Sequence, residues 1–147
     1  MERKKISALL VFDIIGRPAE HLTETLNNMI KMIGEEKGVE VKEKNINEPI
    51  LMKDKKDFYT SFAEVEVEAE GLLQIAMLMF KYMPAHIEIV SPESIVLTNN
   101  ECGEVFSEVT RRLHAYDEVA RVMKIEKNIL EKKLRELMPK KEEKKEK

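Results

Sequence analysis

An α+β fold is what the sequence predicts, a four-stranded antiparallel sheet carrying two helices and followed by a long third helix. Three observations carry it. Over residues 1–97, segments with period 2 and segments with period 3.6 follow one another in the order β-α-β-β-α-β. Gly or Pro stands at most of the junctions between them. From Cys102 to Leu137, apolar residues recur at alternating spacings of four and three.

The elements follow in order. Residues 5–15 are apolar on both alternating sets, with Ile6, Ala8, Leu10, Phe12 and Ile14 on one and Leu9, Val11 and Ile15 on the other. That pattern predicts a central strand covered on both faces. Gly16, Arg17 and Pro18 close it, Pro18 suiting the first turn of a helix. Leu22, Leu26, Met29, Ile30 and Ile33 then line one face of an amphipathic helix stopped by Gly34 and Gly38.

A second strand runs from Val39 to Lys44, with Val39 and Val41 inward and Glu40, Lys42 and Lys44 outward. The segment after it is rich in turn residues, and Pro49 argues against a central strand there. Ile50, Leu51 and Met52 form an apolar cluster within it that reads as a protruding arm. Phe58 to Glu70 is the cleanest strand: Ala63, Val65, Val67 and Ala69 alternate with Glu64, Glu66, Glu68 and Glu70. Leu72 to Met83 is a helix apolar nearly all round, so it should be covered on more than one side. His86 to Val90 is the fourth strand.

This element order is the ferredoxin-like pattern, a β-α-β unit repeated. Its usual strand order, 4-1-3-2, puts the doubly apolar first strand in the middle. The predicted domain spans residues 1–97, the long helix 98–138, and a disordered charged tail 139–147.

The long helix has the sharpest pattern. Thr98 and Glu101 fit a capping box. A seam follows through Cys102, Phe106, Val109, Leu113, Tyr116, Ala120, Met123, Lys127, Leu130, Leu134 and Leu137. Only Lys127 in it is charged. A seam of this length predicts a coiled coil or a helix hairpin, roughly 55–60 Å long if unbroken. A break near Tyr116–Asp117 is the alternative, with the first half covering the sheet. The flanking charges leave orientation open: in a parallel pair Arg112 and Asp117 attract, whereas Glu126 and Glu131 repel. Val105, Val119, Val122, Ile125 and Ile129 lie off the seam, and some of them are expected to pack on the core or on a third helix.

Composition excludes several classes. The 147 residues suit one domain. Lys and Arg number 25 against 28 Asp and Glu, a net charge of −3, so no clustered basic surface recommends nucleic acid. One cysteine, Cys102, rules out an intrachain disulfide framework. The apolar run after the basic start is about 10 residues, too short for a membrane span, and Asp13 interrupts it. The expected location is the cytoplasm. Charged residues make up 36% of the chain, and their Lys/Glu bias fits a thermophilic source or a solvated coiled coil equally.

Phe12 to Val41 resembles the opening of ACT domains: a strand ending in a G-R-P-G-like turn, a helix, then a Gly-Val strand start. The resemblance covers about a fifth of the chain, and Ala19 stands where those domains carry a second glycine. It implies an amino acid or similar small metabolite bound at a subunit interface by Asp13, Gly16, Arg17 and Pro18. A structural turn is the plainer reading of the same residues.

Other chemistry is thin. His21, His86 and His114 fall on three different elements, and no Ser or Cys beside a His suggests an activated nucleophile. The glutamate row reads as a solvated sheet face, with Lys42 and Lys44 available to pair with it. No metal, cofactor or catalysis is expected. The expected function is an oligomeric interaction or scaffold protein, binding a second copy or another protein through Phe106, Val109, Leu113, Tyr116, Met123, Leu130, Leu134 and Leu137, and through Ile50, Leu51 and Met52. The ACT-like regulatory domain is the alternative.

Overall fold

In a computed structural model, residues 4–139 are described. The chain divides into two units, Met1–Val109 and Thr110–Lys147. The predicted charged tail lies, apart from Pro139, outside the described residues.

The first unit holds β1 (Ile6–Gly16), α1 (Ala19–Gly34), β2 (Val39–Ile46), β3 (Ile50–Leu51), β4 (Tyr59–Ala69), α2 (Leu72–Tyr82) and β5 (His86–Ser91). It is an α+β fold with an antiparallel sheet in the order β2-β4-β1-β5, and β3 pairs with β4 off that path. β1 and β4 pair over eleven residues, from Ile6 opposite Ala69 to Gly16 opposite Tyr59.

Alternation sets what each face carries. Ile6, Ala8, Leu10 and Phe12 of β1 and Ala63, Val65, Val67 and Ala69 of β4 are buried on one face. Leu22, Leu26, Ile30 and Ile33 of α1 and Ile75, Ala76 and Leu78 of α2 are also buried. Most of these side chains join in a single apolar core. Gly38 ends the turn after α1 at φ +77, a left-handed conformation that glycine adopts without strain.

Three expectations need correction. β1 is central but not closed on both faces: Leu9 and Val11 are half-buried, while Asp13 and Ile15 are exposed. The helices bury the even-numbered set, and the odd-numbered set lines the other face. β2 runs two residues further than predicted because a bulge at Lys42 shifts its register between Val41 and Glu43. The extra residue returns Ile46 to the core side, opposite Ala63, and puts Lys44 opposite Val65. Lys44 is therefore not in the outward row with Glu40.

Ile50–Leu51–Met52 is not a free arm. Ile50 and Leu51 pair with Thr60 and Tyr59, and the Met52 N–H donates to the Phe58 carbonyl at 2.8 Å. Pro49 is tolerated because it precedes this short edge strand. Within the single chain, α2 buries one side and leaves Met77, Met79 and Met83 exposed.

Candidate interaction surface

α3 (Asn99–Leu137) is one helix of 39 residues. Its start is the capping box: the Glu101 N–H donates to Thr98 Oγ1 at 3.1 Å, and the Thr98 N–H donates to Glu101 Oε2 at 3.2 Å. These bonds satisfy two backbone donors that the first turn would otherwise leave open. No break occurs at Tyr116–Asp117. Asp117 is bound instead to Arg121 one turn further on.

No residue of α3 is buried. Val109 is half-buried, and Phe106 is exposed. From Thr110 onward, in the second unit, the whole seam is exposed: Leu113, Tyr116, Ala120, Met123, Lys127, Leu130, Leu134 and Leu137. Met123 is 63% exposed and Leu134 is 60% exposed. Lys127 reaches along the helix to Glu131 at 3.8 Å. Of the off-seam residues, Val105 is half-buried. Val119, Val122, Ile125 and Ile129 are exposed. A helix with apolar residues exposed on more than one face has no core of its own to account for them.

On the sheet, Ile50 and Leu51 are 61% and 55% exposed, while Met52 is half-buried. They lie on or just after β3, which pairs with β4 off the main path of the sheet.

The end of β1 and the turn after it meet residues at the start of β4 and just before it. Thr60 Oγ1 donates to Asp13 Oδ1 at 3.1 Å. The Arg17 guanidinium carbon lies 5.2 Å from the centroid of the Phe58 ring, within cation–π range. A Cβ added at Gly16 would sit 3.1 Å from Leu22 Cδ2, so glycine here permits close helix–strand approach. Pro18 is the N-cap of α1 with extended backbone, one residue before the helical position predicted for it.

The glutamate row is partly neutralised. Lys42 lies 3.1 Å from Glu40 and 3.5 Å from Glu68, and Lys5 lies 3.7 Å from Glu68. The hydrogen bond to Glu40, with the charges of Glu40 and Glu68, holds the Lys42 amine above its ordinary value. Ser7 Oγ donates to Glu66 at 3.1 Å. His21, His86 and His114 fall on α1, β5 and α3. Among the described residues, no group of three or more His, Cys, Asp or Glu is placed to hold a metal ion. No helix there is long and apolar enough to cross a membrane.

One cluster was not foreseen. Lys81 and Tyr82, at the end of α2, both donate to Glu36 Oε1, Tyr82 at 2.6 Å. The hydrogen bond from Lys81, then that from Tyr82, holds the Glu36 carboxyl below its ordinary value of 4.5. Burial, then the bond to Glu36, pushes the Tyr82 phenol well up. The partners are 45 and 46 residues apart in the chain. No local spacing signals such a contact. It ties the end of α2 to the turn after α1, a structural role.

No curated protein and no solved structure matches this chain. One family model does, over residues 7–144, which takes in the sheet domain and the length of α3 together. The chain belongs to the MJ0538 family.

Proposed function

We propose that the chain is a non-enzymatic, self-associating scaffold: a ferredoxin-like domain carrying a helix that pairs with the same helix of a second copy. One observation carries the reading. The seam from Leu113 to Leu137 keeps its four-and-three spacing on a continuous helix, and every position in it is exposed. Apolar surface in such a contiguous stripe marks an association surface. The ferredoxin-like assignment is supported by the four long strands. With the two-residue β3 set aside, they run second, third, first, fourth across the sheet. Both β-α-β units then straddle one intervening strand.

The test is the mass of the full chain in solution by light scattering. A multiple of 17.1 kDa is expected. A 17.1 kDa species whose circular dichroism retains the full helical signal would overturn the reading.

A second reading rests on the placing of Arg17. Its contact with Phe58 sets a cation beside the β1–α1 turn, four residues after Asp13 in the chain. An ACT-like domain would use such a cation to hold the carboxylate of an amino acid. A thermal-shift screen with the common amino acids tests it. A rise in melting temperature that Arg17→Ala abolishes is expected, and no rise at millimolar ligand would remove this reading.

A further inference from the structure

We infer that two copies of α3 pair antiparallel over their distal halves, about a centre between Asn128 and Ile129. This rests on the self-association proposed above and adds its orientation and register. Three facts bear on it: α3 is continuous through Leu137, its seam is exposed, and charged residues flank that seam on both sides.

With Leu113, Ala120, Lys127 and Leu134 as one set of seam positions and Tyr116, Met123, Leu130 and Leu137 as the other, the flanking positions follow. Asp117, Lys124 and Glu131 lie on one side, and Arg112, Val119, Glu126 and Lys133 on the other. In an antiparallel pair, each side faces its own kind on the second helix, and the two seam sets interlock.

Centred between Asn128 and Ile129, the seam layers are Ala120 on Leu137, Met123 on Leu134 and Lys127 on Leu130, each made twice. On one side Lys124 then faces Glu131, and on the other Glu126 faces Lys133. Four opposite-charge pairs form and no like-charge pair does. A shift of one heptad toward the N-terminus sets Lys124 against Lys124, Glu126 against Glu126 and Asp117 against Glu131. The opposite shift sets Glu131 against Glu131 and Lys133 against Lys133.

The parallel, in-register pair is worse in a second way. It faces Glu126 with Glu131 and stacks Lys127 on Lys127 inside the seam. In the antiparallel register, Lys127 meets Leu130 and can lay its methylene stem along it while the amine reaches water. Charge complementarity thus selects one orientation and one register, and the occupant of the seam is a second copy of this chain.

The experiment uses the full chain. Glu126→Lys replaces two attractive pairs by two repulsive ones if the helices run antiparallel. The dissociation constant by sedimentation equilibrium should then rise on the order of tenfold. Glu126→Lys with Lys133→Glu should return it close to the starting value. In a parallel pair Glu126→Lys would instead meet Glu131 and tighten association.

The same question is read covalently with Ala120→Cys and Leu137→Cys together, in a chain also carrying Cys102→Ser. Peptide mapping after oxidation should find position 120 of one chain joined to position 137 of the other. Two copies of position 120 would lie about 25 Å apart, beyond disulfide reach. Disulfides joining 120 to 120, together with tighter association of Glu126→Lys, would overturn the orientation while leaving self-association standing. A wild-type chain that stays monomeric at every concentration would overturn both.

Discussion

Truncating one seam leucine separates association from folding. Leu134 is 60% exposed in the single chain, so the side chain of one copy contributes little to the stability of that copy. Leu134→Ala should therefore leave the urea midpoint of the sheet domain where it is, and alanine keeps the helix intact. The association constant should behave differently. Fully burying a leucine contributes about 1.5–3 kcal/mol. Scaled to the fraction left to bury, each copy loses about 1–2 kcal/mol, and a symmetric pair loses about 2–4 kcal/mol. That corresponds to a dissociation constant raised by about one to three orders of magnitude. Sedimentation equilibrium over a dilution series measures the constant, and urea unfolding followed at the sheet domain measures stability. An unchanged constant would refute the seam as the contact. A fallen urea midpoint with an unchanged constant would show that α3 packs on its own chain instead.

Three further outcomes are expected. Leu26→Ala empties a fully buried position on α1 and should cost about 2–5 kcal/mol in urea unfolding, with no effect on the helix seam. Glu36→Gln tests the contact with Lys81 and Tyr82. Because the folded carboxyl is held below 4.5, its bonds stabilise the fold above that value and are lost as pH falls through the folded value. Wild type should thus lose stability on acidification below 4.5 more steeply than Glu36→Gln, and parallel slopes in acid unfolding would count against the contact. Thr98→Ala removes the reciprocal cap and should destabilise the start of α3 by about 0.5–2 kcal/mol, seen as faster amide exchange in its first turn.

Strong local periodicity made much of this legible. β4 was readable because valine and alanine alternate with glutamate without a slip, and α1 because its leucines and isoleucines keep one face. The capping box and the seam of α3 were readable for the same reason. Features set by long-range pairing were not. Nothing within VEVKEKNI announces that Lys42 is the unpaired residue, because that depends on matching Ile46 to Ala63 across the sheet. The two-residue β3 exists only through its partners Tyr59 and Thr60. Residues around the β1–α1 turn were named in sequence, but the neighbour of Arg17, Phe58, lies 41 positions away and became visible only with the fold. The orientation proposed for the seam rests on the continuity of α3 past Tyr116, which the sequence leaves open.

The bulge at Lys42 changes what the chain can tolerate in length. In a strand with period 2, losing one residue ordinarily turns every later side chain to the opposite face. Here Val41 pairs with Val67 and Glu43 with Glu66, so the two flanking residues already occupy successive rungs of the ladder without Lys42. Excising Lys42 would bring the backbone to regular pairing and keep Ile46 toward the core. Excising Glu43 would give the same register, with Lys42 taking the rung opposite Glu66. The bulge thus makes β2 neutral in phase to the loss of one residue, and where that residue is Lys42, its contacts with Glu40 and Glu68 are what the loss removes.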